Sequence, residues 1–346
     1  MSDTLGRRFP GTSSLPRAPI ADLPTPIERI EARRLAVGRL SVKRDDLTSR
    51  AYGGNKVRKL RFFLGRALAE RRRAVVTFGA YGSNHALATA VHARALGLET
   101  HAILTPQVPT PYARATLLAH ASLGTVLHPV EGQDGSREAE RLRAELLARD
   151  ACEPLVIPMG GSSALGALGF VDAALELTEQ ARPDTVYLAG GTLGTAVGLA
   201  VGFAAAGAST RIVAARVTPA TVANELILTR LASDAIALLR DQDPSFPALA
   251  VSDLALTLRE GFYEPGYAAV TPAATAAAAL ARELGVTLET TYTGRAFAAL
   301  LADAAEGRLA NEDVLFWDTY SSAPLPLPGR EDALPAALRE FVAACA

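Results

Sequence analysis

The chain has 346 residues, a length that suggests two domains or one large α/β domain. Its net charge of −1 excludes the basic surface of a nucleic-acid-binding protein and the polybasic segment of a membrane-surface protein. Only two cysteines are present, Cys152 and Cys345, so we expect no disulfide framework and no structural zinc site, and we predict a reducing, cytoplasmic location.

The first 26 residues are rich in proline and polar residues and lack the apolar core of a signal peptide. Residues 10–26 are predicted to form an extended arm that packs over a domain, and residues 40–44 a short strand. No stretch of the chain is a convincing membrane span. We therefore expect neither a membrane nor a nucleic acid as a partner.

Lysine is rare in this chain, which has 35 basic residues but only three lysines, Lys43, Lys56 and Lys59. Lys56 follows two glycines and an asparagine, a context that permits close approach of a flat ligand. It lies at the predicted start of a helix, whose positive end favours a neutral amine and attracts an anion. A neutral lysine can act as a nucleophile toward an aldehyde cofactor, which arginine cannot. The alternative is a structural turn with a solvated basic face.

Strands alternate with helices in the next part of the chain, and the first strand, residues 74–79, ends in a turn that contains Ser83, Asn84 and His85. Further strands are predicted at 100–104 and 125–130, and helices at 86–96, 113–123 and 136–149. The five histidines fall in this part without the spacing of metal ligands, so no metal site is predicted. Of these histidines, His85 is the candidate for a place near a ligand.

A second α/β series begins with a strand at 155–159 and a helix at 164–180, followed by a strand at 185–189. The loop after that strand contains Gly190, Gly191, Thr192, Leu193, Gly194 and Thr195. Glycines and threonines before a helix present backbone N–H groups and hydroxyls, which suit a phosphate dianion. The loop matches neither the dinucleotide fingerprint nor the P-loop. The alternative is a glycine-rich turn that binds nothing.

The remaining elements are predicted as strands at 210–217 and 313–318, helices at 219–239, 272–284 and 296–305, an irregular link at 245–258, and a terminal helix. Because strands and helices alternate, we predict two doubly wound α/β domains with mostly parallel sheets. No Gly/Ser linker separates them, so we expect them to be intertwined. Residues 1–50 are assigned to an N-terminal arm and the start of the large domain, 51–158 to a small domain, and 159–346 to the large, cofactor-binding domain.

Five blocks of sequence, between about Lys43 and Gly294, resemble the D-cysteine desulfhydrase and 1-aminocyclopropane-1-carboxylate (ACC) deaminase family. The blocks are the segment around Lys56, the Ser83–His85 turn, residues 160–169, the loop 190–195, and Tyr292-Thr293-Gly294. This family has the tryptophan-synthase-β-like fold (fold type II) and uses pyridoxal 5′-phosphate (PLP). The resemblance implies PLP as the cofactor, a small amino acid as the substrate, and a homodimer.

The resemblance also implies roles for individual residues. Lys56 is expected to be the Schiff-base lysine, and the loop Gly190–Thr195 to hold the cofactor phosphate. Asn84 is expected to bond the ring hydroxyl, and Ser83 to meet the substrate carboxylate and take part in proton transfer or nucleophilic attack. Tyr292 and Tyr267 are expected to line the substrate pocket, and Thr293 to meet the pyridine nitrogen.

In ACC deaminases the corresponding segment resembles Tyr-Glu-Gly, whereas this chain has Tyr292-Thr293-Gly294. The residue at 293 is therefore expected to distinguish the two activities of the family. A hydroxyl stabilises a protonated pyridine less than a carboxylate does, which favours α,β-elimination. We therefore expect a D-cysteine desulfhydrase-like lyase that releases pyruvate, ammonia and the leaving group. The alternatives are an ACC-type deaminase, a racemase or a β-replacement enzyme on another amino acid, and a non-catalytic ligand-binding protein.

Three departures from the family pattern affect the expected substrate side. Gly82 stands where the family usually has glutamine, which predicts an enlarged or reshaped pocket beside Ser83. The segment from Thr319 to Ser322 adds bulk and hydroxyls where the family has Thr-Gly-Gly. Glu289 and the two residues after it replace a more frequent Asp-Pro-Val. These changes indicate a different or larger amino acid as an alternative substrate.

Overall fold

The computed structural model describes residues 3–32, 34–132 and 135–345. The strands are β1 (Ile27–Ile30), β2 (Arg39–Arg44), β3 (Ala74–Ala80), β4 (Glu99–Thr105), β5 (Val126–Pro129), β6 (Leu155–Ile157), β7 (Thr185–Gly190), β8 (Arg211–Arg216), β9 (Leu256–Arg259) and β10 (Asp313–Asp318). The helices are α1 (Thr4–Arg8), α2 (Asn55–Ala69), α3 (Asn84–Ala95), α4 (Pro111–Ser122), α5 (Gly135–Asp150), α6 (Ala164–Gln180), α7 (Gly194–Ala206), α8 (Glu225–Gln242), α9 (Pro272–Glu283), α10 (Thr293–Ala305) and α11 (Ala336–Ala344).

These strands form two sheets. The larger has the order β1-β2-β10-β7-β8-β9, and the smaller has the order β5-β4-β3-β6. Every pairing in the two sheets is parallel except that of β1 with β2. The chain therefore starts in the larger sheet, builds the smaller one and returns, which confirms the predicted intertwined α/β fold. The residue boundaries assigned to the domains stay a prediction. Helix α11 packs with α4 beside the smaller sheet.

Close approach between helices places the start of α2 within the fold. Gly169 of α6 lies so near α2 that a Cβ there would come within 2.3 Å of the Arg58 carbonyl oxygen. Gly198 of α7 faces α6 in the same way, and a Cβ there would come within 2.4 Å of the Ala167 carbonyl oxygen. The small residues of α6 and α7 therefore allow α2, α6 and α7 to pack as one layer.

A buried ion network joins α2 to the larger sheet. Arg58 of α2 donates to Asp45 at 2.8 Å and to Glu176 of α6 at 2.9 Å. Lys43 of β2 donates to Glu176 at 2.6 Å. Burial alone would raise the pKa of Glu176, but Arg58 and Lys43 together lower it to about 2. Lys43 is thus a structural lysine whose charge is matched by a carboxylate.

Four predicted elements differ from the structure. The helix predicted to start at residue 219 starts at Glu225, because the Asn224 side chain accepts a hydrogen bond from the Ile227 amide and caps it there. The link predicted as irregular ends in β9, which is one of the two edge strands of the larger sheet. Residues 10–14 form a short 3₁₀ helix where an extended arm was predicted. Helix α10 starts at Thr293, three residues before the predicted start.

Burial of His120 predicts a loss of stability in mild acid. His120 lies fully buried in α4, where burial lowers its pKa to about 4. The unfolded chain binds this proton near pH 6.5, so stability falls as the pH drops below that value, by about 2 kcal/mol at pH 5. The free energy of unfolding, measured with urea at pH 7 and pH 5, should therefore change by about 2 kcal/mol less in His120→Gln than in the parent protein. An equal pH dependence in both proteins would contradict the prediction.

Candidate active site

An open cavity lies at the carboxyl ends of β3, β7 and β10, so strands of both sheets border it. It contains about 1250 Å³ of empty space, part of it open to solvent. Its wall includes the start of α2, the turn after β3, the loop after β7 and the segment after β10. Carboxyl ends of parallel strands are the usual place for ligands in such folds. The cavity is therefore the candidate active site.

Most of the predicted site residues lie in this wall. They are Lys56, Ser83, Asn84, Gly191, Thr192, Leu193, Thr195, Tyr267, Tyr292 and Thr293. Gly190 and Gly194 belong to the same loop, at the end of β7 and the start of α7, but are not part of the wall. The structure thus brings together residues from distant parts of the chain, while their individual roles stay predictions.

The amine of Lys56 faces a neutral partner. Lys56 Nζ donates to Asn55 Oδ1 at 2.8 Å, and Asn55 Nδ2 donates to Thr195 Oγ1 at 3.0 Å. Burial lowers the pKa of Lys56 to about 8, although the charge of Glu289 opposes the shift. Sequence reasoning assigned no role to Asn55, which connects the amine to Thr195 of the predicted phosphate loop. An amide oxygen orients the amine without adding a negative charge that would retain its proton.

The two glycines before Asn55 are required by the packing. Gly54 has φ 91°, and a Cβ there would come within 2.8 Å of the Thr319 carbonyl oxygen. At Gly53 a Cβ would come within 2.0 Å of the Asp46 carbonyl oxygen. Because neither position has room for a side chain, the segment can cross beneath the end of β10 and start α2 at the cavity.

A second lysine of α2 reaches the predicted phosphate loop. Lys59 Nζ donates to the Gly160 carbonyl oxygen at 3.0 Å and to Ser162 Oγ at 3.3 Å. Ser162 Oγ also lies 2.7 Å from Thr192 Oγ1 and accepts from the Gly194 amide at 3.2 Å. Sequence reasoning assigned Lys59 no role, although two signals were present. Lysine is rare in this chain, and Lys59 follows Lys56 by three residues, which places both on one face of the helix.

The charge balance around Lys59 suits an anion. No carboxylate pairs with Lys56 or Lys59 in the described part of the chain. Burial, and then the charge of Lys56, lowers the pKa of Lys59 well below its usual value. A dianion in the loop would offset this cost by supplying the missing negative charge. Buried amine, hydroxyls and a helix start therefore fit a phosphate group.

The turn after β3 presents Ser83 and Asn84 to the cavity. Ser83 caps α3, and its Oγ accepts from the Ala86 amide at 3.2 Å. Asn84 Oδ1 accepts hydrogen bonds from the hydroxyls of Tyr52, at 3.2 Å, and Tyr112. With its oxygen occupied, Asn84 keeps its NH₂ group as a donor for a ligand oxygen. Tyr52 and Tyr112 were missed because they come from separate segments of the chain.

His85 lies in the wall beneath the two lysines. Its Nε2 lies 3.0 Å from Thr77 Oγ1, and the residue is 4% exposed. Burial, together with the charges of Lys56 and Lys59, holds the pKa of His85 well below its usual value. A neutral imidazole adds no further positive charge next to the lysines.

The far side of the cavity is formed by Tyr267 and Tyr292, whose hydroxyl oxygens are 2.5 Å apart. Burial raises the pKa of both phenols, so they are neutral near pH 7. Tyr292 directly precedes α10, and Glu289 caps this helix by accepting from the amides of Thr291, Tyr292 and Thr293. Glu289 Oε1 also lies 3.2 Å from Thr293 Oγ1. The Glu289 carboxylate thus lies next to the Thr293 hydroxyl. The sequence analysis of Thr293 did not take this carboxylate into account.

The departures from the family pattern have different outcomes. Gly82 is not itself part of the cavity wall, and the reshaped pocket expected beside Ser83 stays a prediction. A Cβ at 82 would meet Gln107, whose Oε1 accepts from the Gly82 amide at 2.9 Å. Thr319, Tyr320 and Ser321 do line the cavity. The bulk expected after β10 therefore reaches the site.

Neither a metal centre nor a membrane span is found in the described residues. No cluster of three or more histidine, cysteine, aspartate or glutamate side chains in residues 3–32, 34–132 and 135–345 could hold a metal ion. Within these ranges, no helix has the length and apolar character needed to cross a membrane.

Comparison with known proteins relates the chain to enzymes that depend on pyridoxal phosphate. Residues 20–319 match the family described as pyridoxal-phosphate dependent enzyme. The D-cysteine desulfhydrase of Serratia proteamaculans is 32% identical over 326 residues, which cover 90% of this chain and 95% of that protein. The D-cysteine desulfhydrase of Klebsiella pneumoniae is 33% identical over 319 residues, which cover 89% of this chain and 94% of that protein.

Solved structures agree with this relationship. The crystal structure of an ACC deaminase homologue has a TM-score of 0.79 and 28% identity, and the match covers 93% of this chain and 96% of that one. Threonine deaminase isoform 2 of Solanum lycopersicum has a TM-score of 0.62 at 18% identity, over 100% of this chain and 89% of that one. At that identity the second match supports the fold alone.

Proposed function

The chain belongs to the family of pyridoxal-phosphate-dependent enzymes, and from this premise we propose that it is a D-cysteine desulfhydrase-like lyase. The proposed reaction converts D-cysteine and water to pyruvate, ammonia and hydrogen sulfide. The observation that carries the proposal is a pair of lysines that have no carboxylate partner among the described residues. Lys56 donates to the Asn55 amide oxygen, and Lys59 donates to Ser162, which contacts the phosphate-type loop. Such a pair suits a cofactor with both an aldehyde and a phosphate.

The residues at the cavity fit the parts of this cofactor. Lys59, Ser162, Thr192 and the start of α7 would hold the phosphate, and the Asn84 NH₂ group would bond a ring oxygen. Thr293 would meet the ring nitrogen. When bound, pyridoxal phosphate supplies an electron-withdrawing ring that stabilises negative charge at the substrate Cα.

Lys56 is the proposed base. Its amine would take the proton from the substrate Cα, which requires the neutral form that burial favours. The amide oxygen of Asn55 would hold Nζ in place through this transfer. Loss of the Cα proton then allows the sulfur on Cβ to leave.

Ser83 and the first amides of α3 would bind the substrate carboxylate, since a helix start attracts an anion. This contact would orient the Cα–H bond toward Lys56. Tyr267 and Tyr292 would close the opposite side with neutral hydroxyls, which can donate a proton to the leaving thiolate. The site thus has a separate group for each of the proposed tasks.

Glu289 favours ACC-type deamination as a second candidate. Its carboxylate lies 3.2 Å from the hydroxyl proposed to meet the ring nitrogen. Negative charge at this place supports a protonated ring, which is the stronger electron sink that ring opening of ACC requires. The two candidates use the same lysines and differ in what Glu289 does through Thr293.

Product analysis separates the candidates. We expect the purified protein with PLP to release pyruvate and sulfide from D-cysteine, with a shift of the cofactor's visible band, and little from L-cysteine. Release of a four-carbon keto acid from ACC would favour the second candidate. Appearance of the opposite enantiomer without keto acid would mean racemisation. No visible band after incubation with PLP would contradict all of these reactions.

We further propose a homodimer that works in the cytoplasm. The family resemblance supports the dimer, and the free thiols of Cys152 and Cys345 are consistent with a reducing compartment. Sedimentation should then give a species of twice the 36.2 kDa chain mass. A single species of the chain mass would contradict the dimer.

A further inference from the structure

Tyr267 stands on a loop that has no helix or strand of its own. The loop, residues 260–271, connects β9 to α9. Its backbone hydrogen bonds are long, from Gly266 to Tyr263 at 3.2 Å and from Ala269 to Gly266 at 3.4 Å. Ala268, next to Tyr267, has φ 58°, a left-handed conformation that is unfavourable for alanine. Such a loop needs support from elsewhere to hold a side chain in one place.

Arg295 supplies that support from α10. Its Nη1 donates to the carbonyl oxygens of Phe262, at 3.2 Å, and Tyr263, at 2.6 Å. Its Nη2 donates to those of Gly266, at 2.8 Å, and Ala269, at 2.6 Å. One guanidinium group therefore binds both arms of the loop, on either side of Tyr267.

Ion pairing does not account for the burial of Arg295. The residue is 1% exposed, and within the described residues no carboxylate lies in salt-bridge distance of it. A buried cation without a counter-ion is costly, so its four bonds to carbonyl oxygens are what compensate it. The planar fork of guanidinium can reach four acceptors at once, which the single amine of lysine cannot.

Tyr292 and Arg295 are fixed by the same helix. Tyr292 directly precedes α10, and Arg295 is its third residue. The helix thus places one phenol directly and the other through the loop that Arg295 binds. The two hydroxyls meet at 2.5 Å.

We infer that Arg295 is a positioning residue that holds the loop 260–271 so that the Tyr267 hydroxyl stays against that of Tyr292 in the cavity. The expected effect of Arg295 on turnover rests on the proposed function. The anchoring of the loop by Arg295 does not depend on it. Loss of the anchor releases Tyr267 from the wall without removing any group that touches a ligand.

A double-mutant cycle tests this inference with Arg295→Lys and Tyr267→Phe. We expect each single variant to lower kcat/KM for D-cysteine, or for whichever amino acid shifts the cofactor band, by about tenfold or more. If Arg295 acts through Tyr267, adding Arg295→Lys to Tyr267→Phe should change kcat/KM less than about twofold. Effects that multiply would overturn the inference.

Arg259→Lys is the matched control. Arg259 also lies against the loop, with its guanidinium 5.8 Å from the centre of the Phe262 ring, but it pairs with Asp303 and binds no loop carbonyl in the described structure. We expect it to keep kcat/KM within about twofold of the parent protein. A loss equal to that of Arg295→Lys would mean that any arginine at the loop matters, and would overturn the specific role.

Hydrogen exchange tests the anchoring without a substrate. Amides of residues 260–271 should exchange at least about tenfold faster in Arg295→Lys, while those of α10 keep their protection. The apoprotein's affinity for PLP should stay unchanged, because the phosphate loop lies elsewhere. If Arg295→Lys does not fold, the same exchange is measured in Arg295→Gln. Unchanged exchange in a folded variant would overturn the inference even if D-cysteine is not the substrate.

Discussion

Lys56→Ala is expected to remove turnover, by a factor on the order of 10⁴ where general-base catalysis is lost. The amine is the proposed base and nucleophile of the cavity, and in the described structure no other lysine occupies its place at Asn55. Lys56→Arg should be equally inactive, because a guanidinium keeps the charge but cannot give up its proton. Borohydride reduction followed by peptide mapping should fix the cofactor to residue 56 in the parent protein and to no residue in either variant.

The pH dependence of cofactor capture gives a second measure of this lysine. Its pKa of about 8 predicts that the apoprotein binds PLP covalently at a rate that rises through pH 8, where the neutral amine becomes dominant. A small primary amine, added to Lys56→Ala, should restore part of the turnover by entering the space left by the side chain. Full turnover in Lys56→Arg, or a midpoint near the ordinary lysine value of about 10.4, would contradict the assignment.

Lys59→Met is expected to weaken PLP binding by about 10- to 100-fold, which corresponds to a charged hydrogen bond of about 1.5–3 kcal/mol. Lys59 is the proposed partner of the phosphate, because its Nζ contacts Gly160 and Ser162, and Ser162 in turn contacts Thr192 and Gly194 of the predicted phosphate loop. The methionine side chain has similar length and leaves the loop without a positive charge. Equilibrium titration of the apoprotein, followed by the cofactor's visible band, measures the change.

Pyridoxal without the phosphate is the control ligand for Lys59→Met. Its affinity should be the same in the parent protein and the variant, because the lost interaction involves the phosphate alone. Equal weakening of both ligands would mean that the variant disturbs Lys56 or the fold rather than the phosphate loop. An unchanged affinity for PLP would place the phosphate away from Lys59.

Local sequence was sufficient where a functional group lies at the junction of a strand and a helix. The turn with Ser83 and Asn84 and the loop after β7 were located from a strand pattern followed by glycine or a capping residue, and the start of α2 from apolar residues at helical spacing after two glycines. Parallel strands then bring such junctions to one edge. The arrangement of the cavity could therefore be predicted before any distance was known.

Contacts between distant segments could not be predicted in this way. Tyr112 reaches Asn84 from the next helix, and Arg295 reaches a loop that precedes it by about 30 residues. Neither contact leaves a periodic pattern in the sequence. Strand β9 was missed because four residues at the edge of a sheet show too little alternation. The start of α8 was misplaced because Pro219 resembled a first helical residue, whereas Asn224 provides the cap.

The order of strands in the larger sheet has a consequence for how the protein forms during synthesis. Strand β2 pairs with β10, so Arg39 and Asp313, which lie side by side, are 274 residues apart in the chain. The four strands of the smaller sheet all lie between residues 74 and 157. On a ribosome the smaller sheet can assemble halfway through translation, while β2 waits with one edge open. Contacts that span most of a chain also slow folding, so closure of the larger sheet is the late step.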